Sequence, residues 1–341
     1  MKRIIVTGGS GFIGSNLVNY LIDKKYFVIN VDKLTYSSNK LAHKSKNKKN
    51  YRFYKLDIND KKKLKKIIIK YKPTAIFNLA AETHVDRSID GPKKFISTNI
   101  FGTFSLLEVL RELKKIKIKP KLIHVSTDEV YGDIKKNKKS DENHKYEPSS
   151  PYSASKASAD HIVKSYVRTY KINAVISNCC NNYGPYQFPE KLLPKMISNI
   201  FNNKNLPIYA KGKNSREWIH VMDHCSALLM LYLKGKSGQN YNIGSGVTLT
   251  NIYLVKKLLK ICRMLDIKIK NRTKIVFVKD RPGHDFRYAL NSKKIQKDLK
   301  WKSKIRLDNG LVNTVKWYLN NKNFLKKISN KLYSQRLGLK T

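Results

Sequence analysis

The chain has 341 residues, of which 41% are hydrophobic, enough to bury the core of one large domain or two. Its four cysteines form no C-x-x-C pair and have no histidines at metal-ligand spacing, so we predict neither disulfides nor a metal site, and a reducing cytoplasm as the compartment. No apolar run is long enough for a signal peptide or a membrane span, which predicts a soluble protein.

The formal net charge is +46, since 70 lysines and arginines outnumber 24 aspartates and glutamates. Such a charge can mark a nucleic-acid or membrane-surface partner. The basic residues, however, are spread along the whole chain and form no single stripe. We therefore expect a lysine-coated, solvated exterior with no specific nucleic-acid or membrane partner. The positive field would still attract an anionic substrate.

The first half of the chain alternates predicted strands and helices, which is typical of a parallel sheet covered on both faces. Apolar runs and helical periodicity predict these elements in order: strand 3–7, helix 12–24, strand 27–32, strand 51–56, helix 61–71, strand 75–80, helix 99–113, strand 122–126 and helix 151–170. Beyond Val175 the alternation weakens and prolines punctuate a loop-rich region, where we expect substrate determinants. The predicted fold is α/β, a Rossmann-type doubly wound parallel sheet with a smaller C-terminal substrate-binding domain.

A glycine-rich turn, TGGSGFIG at 7–14, joins the first strand to the first helix. Glycines here let the backbone approach a pyrophosphate, whose charge the helix start stabilises. Asp32 ends the second strand, where a carboxylate can bind a ribose 2′-hydroxyl and repel a 2′-phosphate. NAD is therefore favoured over NADP, although Lys33 is adjacent. Asp57 and Ile58 either border the adenine or cap the next helix, and the sequence leaves both interpretations open.

Tyr152 and Lys156 lie four residues apart on a predicted helix and so share one face. A tyrosine is a poor base at neutral pH, but a nearby cation favours its phenolate. The Thr127 hydroxyl can orient the same substrate oxygen. These three residues are typical of a dehydrogenase.

Asp128 and Glu129 follow the strand predicted at 122–126. In a continuing strand they would face opposite sides of the sheet, so a shared role requires a loop. Loss of water needs an acid at the leaving hydroxyl and a base at the adjacent C–H, and a carboxyl pair can divide these tasks. The alternative is a solvated acidic turn.

A series of longer motifs runs almost from end to end in one order: TGGSGFIGSN (7–16), VDKLTY (31–36), LAAETHVDRSI (79–89), STDEVYGD (126–133), PYSASKAS (151–158), NNYGPYQFPEKLLP (181–194), PIYAKGKNSREWIHV (207–221) and DRPGHDFRYA (280–289). With these motifs the chain resembles the extended short-chain dehydrogenase/reductases, and among them the dTDP-glucose 4,6-dehydratases of deoxysugar biosynthesis.

The resemblance implies a reaction in consecutive steps. Tyr152 would take the proton of the sugar's C4 hydroxyl while NAD accepts the C4 hydride, assisted by Thr127 and Lys156. Glu129 would then remove the C5 proton, Asp128 would protonate the departing C6 hydroxyl, and the hydride would return to C6. The implied product is dTDP-4-keto-6-deoxyglucose, with NAD regenerated.

The resemblance also implies the binding residues. The cofactor set is Gly8, Gly11, Phe12, Ile13, Gly14, Asp32, Lys33, Leu34, Thr35, Asp57, Ile58, Leu79, Ala80, Ala81, Thr98, Tyr152, Lys156 and Asn182. The nucleotide-sugar set is Thr83, His84, Thr127, Asn181, Glu190, Lys191, Leu192, Pro207, Tyr209, Arg216, Asn251, Arg281 and His284.

Two domains and a homodimer are further expectations. Residues 1–178 and 219–244 would form the NAD-binding domain, and residues 179–218 and 245–341 the nucleotide-sugar-binding domain. The helices that begin at Asn99 and Pro151 would pair with their copies across a dyad in a four-helix contact.

Three alternatives remain at the level of sequence. The first is a dehydratase acting on a UDP- or GDP-sugar. The second is a sister 4-epimerase or decarboxylase, although an epimerase has no use for the pair Asp128 and Glu129. The third is an NAD-binding protein that has lost catalysis and binds RNA through its surface charge.

Overall fold

The computed structural model describes residues 1–39, 49–325 and 338. Its strands are β1 Arg3–Thr7, β2 Phe27–Asp32, β3 Tyr51–Lys55, β4 Ala75–Asn78, β5 Lys121–Thr127, β6 Ala174–Cys179, β7 Asn181–Tyr183, β8 Leu206–Tyr209, β9 Ser215–His220, β10 Asn240–Ile243, β11 Thr248–Thr250 and β12 Ile275–Val278. Its helices are α1 Phe12–Asp23, α2 Lys61–Tyr71, α3 Val85–Asp90, α4 Lys93–Phe95, α5 Gly102–Lys114, α6 Pro151–Tyr170, α7 Leu192–Phe201, α8 Val221–Lys234, α9 Asn251–Met264, α10 Lys293–Leu299, α11 Leu307–Asn320 and α12 Lys322–Leu325.

A seven-stranded sheet in the order β10-β6-β5-β4-β1-β2-β3 forms the centre, and its neighbouring strands are parallel. Successive side chains of β1 enter two different cores: Ile4 and Val6 pack with α1 and α8, whereas Ile5 packs with α2, α5 and α6. Helices therefore cover both faces, which confirms the predicted doubly wound fold.

The strand order reverses at β1, which has β2 on one side and β4 on the other. Chain connections therefore leave in opposite directions here and open a crevice at the carboxyl ends of the strands, where open α/β sheets bind ligands. The glycine-rich turn after β1 lies at this crevice.

The region beyond β6 is more regular than the sequence suggested. It contains a three-stranded sheet (β11-β9-β7) and a two-stranded sheet (β12-β8), and side chains of α7, α9 and α11 form a third apolar core beside them. Residues 326–337 and 339–341 of the predicted C-terminal domain lie outside the described residues. Within the described part of the chain, no helix has the length and apolarity of a membrane span.

Two predicted bounds near the site differ from the structure. The helix expected at 99–113 begins earlier, as a π-helical segment Ile96–Phe101 that continues into α5. β5 extends through Thr127, and the expected loop is a 3₁₀ turn, Asp128–Tyr131. The strand thus ends before the two carboxylates, as their proposed shared role requires.

Candidate active site

One cavity lies in the crevice, and its wall contains every predicted cofactor residue except Leu34. The Leu34 backbone instead donates a hydrogen bond to Asp32 Oδ1 at 2.7 Å, so this residue holds the carboxylate in place without lining the wall. Leu34 adopts a positive φ of 61°, which lets the chain turn back at this point.

The glycine turn fits a diphosphate. A Cβ on Gly8 would lie 2.6 Å from the Ala80 nitrogen, and a Cβ on Gly14 would lie 2.1 Å from the Gly8 oxygen, so neither position has room for a side chain. Gly11 is the N-cap of α1 and no side chain caps this end of the helix. The helix start is therefore open to a phosphate group.

Asp32 ends β2 in the cavity wall. Its carboxylate accepts hydrogen bonds from the Ser10 and Leu34 backbones at 2.9 and 2.7 Å, while burial raises its pKa. Asp57 lies 3.5 Å from Lys33 Nζ in the cavity wall. The cap of α2 is Asp60, which accepts from the Lys63 backbone, so the alternative interpretation of Asp57 as that cap is wrong.

The five predicted catalytic residues all line the same cavity. Thr127 ends β5 and forms the N-cap of the 3₁₀ turn: its Oγ1 accepts from the Glu129 backbone and donates to Asp128 Oδ1, both at 3.3 Å. These contacts bring a hydroxyl and two carboxyl groups together beyond the strand end.

The two carboxyl groups have different surroundings. Burial, with the adjacent Glu129 second, raises the pKa of Asp128 well above its ordinary value. Burial also raises the pKa of Glu129, but Arg281 and Arg216 oppose that shift. Asp128 is thereby favoured as the protonated member of the pair and Glu129 as the proton acceptor.

Helix α6 begins with a capping box between Ser150 and Ser153 and carries both Tyr152 and Lys156 on its buried face. Lys156 Nζ donates to the Val125 carbonyl oxygen at 2.7 Å, and burial lowers its pKa to about 8. A lysine held at this value changes charge near neutral pH.

The surroundings of Tyr152 act on its pKa in both directions. Burial raises the pKa of Tyr152 and Glu129 raises it further, while a hydrogen bond with Thr127 opposes the shift. Desolvation of the phenolate dominates the balance.

A buried network behind Lys156 was not predicted. Asp160, one turn further along α6, accepts from Ser126 Oγ at 2.8 Å and Tyr146 OH at 3.0 Å, and lies 3.4 Å from His124 Nε2. Its carboxylate raises the pKa of Lys156 against the effect of burial. The spacing of four residues between Lys156 and Asp160 is the one sequence signal for this contact.

Other wall residues were not assigned by the sequence analysis, although several of them lie within the recognised motifs. They are Val31, Ser37, Ser38, Leu56, Glu82, Val125, Ser126, Cys179, Cys180, Gln187, Phe188 and His224.

The predicted substrate residues fall into two groups. Thr83, Thr127, Asn181, Glu190 and Lys191 line the cavity. The others lie outside its wall: His84, Leu192, Pro207, Tyr209, Arg216, Asn251, Arg281 and His284.

Several of the outer residues are held by the protein's own oxygen atoms. Tyr209 OH and Arg281 bind the two oxygens of Asp86 at 2.6 and 2.7 Å, and Arg216 donates to the Asp285 carbonyl oxygen at 2.8 Å. Because both arginines lower the pKa of Glu129, they form a positive border on its side of the cavity.

Contacts also join two segments of the cavity wall, the loop after β2 and the segment before α7. Tyr36 OH donates to Glu190 Oε1 at 2.8 Å, and Arg87 Nε donates to Glu190 Oε2 at 3.0 Å. The Arg87 guanidinium stacks 4.2 Å from the centre of the Tyr36 ring, and the Phe188 ring packs edge-on at 5.6 Å. We call Tyr36, Arg87 and Glu190 the cavity bridge.

Residues 5–314 match the GDP-mannose 4,6 dehydratase family. A probable dTDP-glucose 4,6-dehydratase of Sinorhizobium fredii is 46% identical and covers 99% of both chains. The dTDP-glucose 4,6-dehydratase of Haemophilus influenzae is 47% identical over 94% of this chain and 99% of its own. The crystal structure of the Streptomyces venezuelae dTDP-glucose 4,6-dehydratase with NAD bound is 39% identical, with a TM-score of 0.89 over 95% of this chain and 99% of that chain. The chain belongs to the dTDP-glucose 4,6-dehydratase family.

Proposed function

We propose that this protein is an NAD-dependent lyase that converts dTDP-glucose to dTDP-4-keto-6-deoxyglucose and water. The observation that carries this proposal is that one cavity contains the residues for two chemistries together with the glycine-rich turn. Thr127, Tyr152 and Lys156 would serve the oxidation, and Asp128 and Glu129 would serve the elimination. The Haemophilus and Sinorhizobium relatives, named for this activity, support it.

NAD, when bound, would supply reversible hydride transfer with the sugar, and the positive charge of its oxidised form would favour the Tyr152 phenolate. Gly8, Gly11 and Asp32 would hold its diphosphate and ribose, for the reasons of space and charge given above. Tyr152 would accept the C4 hydroxyl proton, with Thr127 orienting that oxygen.

The ketone at C4 acidifies the C5 hydrogen, which Glu129 would then remove. Asp128 would donate its proton to the departing C6 hydroxyl. The reaction needs a protonated Asp128 and an ionised Glu129. The surroundings agree with this need, because burial and the charge of Glu129 favour the protonated form of Asp128.

The substrate's diphosphate needs cations, and Lys191 lies in the wall with Arg216 and Arg281 nearby. A guanidinium can bind phosphate oxygens in a bidentate manner. We propose that the remaining predicted substrate residues surround this position, so that the region of residues 179–218 and 245–341 serves the sugar nucleotide and residues 1–178 and 219–244 serve NAD.

We also propose a cytoplasmic homodimer. Phe101 and Ile96, on the π-helical segment next to α6, are 57% and 44% exposed. Large apolar side chains exposed together on this segment favour burial against a copy of the same surface.

The decisive experiment offers the purified protein dTDP-, UDP- and GDP-glucose without added reductant. We expect a 4-keto-6-deoxy product from dTDP-glucose, with solvent deuterium entering at C5, as measured by NMR and mass spectrometry. A preference for UDP- or GDP-glucose would assign a sister dehydratase, and inversion at C4 without loss of water would assign an epimerase. Salt-sensitive RNA binding with no turnover would support the non-catalytic alternative.

A further inference from the structure

Two adjacent thiols belong to the cavity wall. Cys179 is the last residue of β6 and Cys180 follows it; both are free and both line the cavity. They are only 5% and 3% exposed, so a reagent reaches them through the cavity. The other cysteines, Cys225 in α8 and Cys262 in α9, are fully buried and are not part of this wall.

The Cys179 thiol has polar partners. Asn182 Nδ2 donates to Cys179 Sγ at 3.2 Å, and Asn182 Oδ1 lies 3.0 Å from Nδ1 of His224, which also lines the cavity. Burial acts to raise the pKa of the Cys179 thiol, but interactions with Cys180 and His224 outweigh it and lower that pKa. The thiolate is the nucleophilic form of cysteine.

Both cysteines also pack into the same apolar core cluster. Their mutual interaction lowers the pKa of Cys179 and, together with burial, raises that of Cys180, which favours a Cys179 thiolate next to a protonated Cys180 thiol. Among the described residues, no cluster of three or more metal-ligating side chains is present. The arrangement therefore suits a reagent that needs two soft sulfur ligands and no third.

We propose that Cys179 and Cys180 form a dithiol modification site for trivalent arsenicals. With phenylarsine oxide, two arsenic–sulfur bonds form, the arsenic–oxygen bond breaks, and the oxygen leaves as water with the two thiol protons. No electron transfer is needed. A phenylarsenic group on these sulfurs would fill part of the cavity whose wall also contains Tyr152 and the glycine turn, and it would therefore exclude NAD. This competition rests on the proposed cofactor site. The capture of the arsenical by the two thiols does not.

The test treats the purified full-length protein with phenylarsine oxide and measures the intact mass and the modified peptide. We expect one phenylarsenic group per chain, on the peptide that contains both residues, with removal by 2,3-dimercaptopropanol but not by a monothiol. Cys179→Ala and Cys180→Ala should each abolish stable capture, whereas the matched control Cys225→Ala should retain it. Peptide mapping of the unmutated chain locates the group even if a variant fails to fold.

Three results would overturn the proposal: no adduct on the unmutated chain, an adduct on Cys225 or Cys262, or capture that persists in Cys180→Ala and is reversed by a monothiol. Added NAD should slow capture at least several-fold. If capture occurs at the dithiol but NAD does not slow it, the site stands and the assignment of NAD to this cavity falls.

Discussion

Asp128 and Glu129 are neighbours in the chain, yet their surroundings favour opposite protonation states. Burial acts on both groups, but Asp128 also experiences the negative charge of Glu129, whereas Glu129 experiences Arg281 and Arg216. Which carboxyl group acts as the acid and which as the base therefore depends on charges from residues far along the chain. For this reason the local sequence around Asp128 and Glu129 suggests an acid/base pair but does not by itself assign the two roles.

Glu129→Gln tests this division. The amide cannot accept the C5 proton, so dehydration should slow by about 10²–10⁴-fold while oxidation at C4 persists. Mixing the variant with dTDP-glucose should make reduced cofactor accumulate, as followed by its near-ultraviolet absorbance. Glu112→Gln, on the exposed side of α5, should behave like the unmutated protein. Product formation at the normal rate in Glu129→Gln would refute the assignment of the base.

Asp160 provides a second test at the residue scale. Lys156 has a pKa of about 8, so C4 oxidation should decline as the pH rises through that value and the lysine loses its charge. Because the Asp160 carboxylate raises this pKa, Asp160→Asn should shift the decline to lower pH. Single-turnover pH profiles measure the shift, with the exposed Asp266→Asn as control. An unchanged profile in folded Asp160→Asn would remove Asp160 from this role.

At the scale of elements, the glycine turn and the start of α6 place the reacting groups. The bounds of the surrounding elements follow from local sequence. Apolar runs predict the first five strands to within two residues, and Ser150 before Pro151 marks the start of α6. Strands such as β7 and β11, of three residues each, are too short for periodicity to reveal, and their partner β9 is distant in sequence.

Gly14→Ala should damage the cofactor turn. The added Cβ would meet the Gly8 oxygen at 2.1 Å, and relieving such an overlap typically costs about 1–3 kcal/mol. If this strain falls on the cofactor-binding conformation, NAD affinity should drop roughly ten- to hundredfold, as measured by calorimetry. Gly91→Ala is the matched control, since its nearest neighbouring atom would lie 3.9 Å away. Equal affinities in the two variants would contradict the prediction.

Ser150→Ala removes the cap that begins α6. Its side chain accepts the Ser153 backbone N–H, and loss of such a cap typically destabilises a protein by about 1 kcal/mol. We expect a lower denaturation midpoint in urea, together with reduced turnover because Tyr152 lies within the first turn. Ser165→Ala, on the exposed side of the same helix, should change neither quantity appreciably. A midpoint equal to that of the unmutated protein would show that the cap contributes little.

For the whole molecule, the sequence predicted the doubly wound sheet and the glycine-rich turn at its crevice, but not the contacts between distant segments around it. The Asp160 network joins side chains of α6 to His124 of β5 and to Tyr146 in the segment before α6. The cavity bridge likewise joins the loop after β2 to residues near α3 and α7. Such contacts depend on tertiary distances that a local pattern does not contain.

The charge of +46 has a measurable consequence. It should accelerate the encounter with an anionic sugar nucleotide, so kcat/KM for dTDP-glucose should fall several-fold between ionic strengths of about 0.01 and 1 M, over which the screening length shrinks from roughly 30 to 3 Å. Turnover at saturating substrate should change much less. A kcat/KM independent of salt would show that the charge plays no part in capture.

The cavity bridge bears on how firmly the protein retains NAD between the first and last steps of its reaction. A redox-neutral reaction needs the same nicotinamide at its first and last steps, so a cofactor that escaped in between would strand a half-converted sugar. Release through the bridged side would have to separate Tyr36 and Arg87 from Glu190. These contacts would therefore slow the exchange of NAD between turnovers without preventing it, and would reduce the fraction of sugars left at the keto stage.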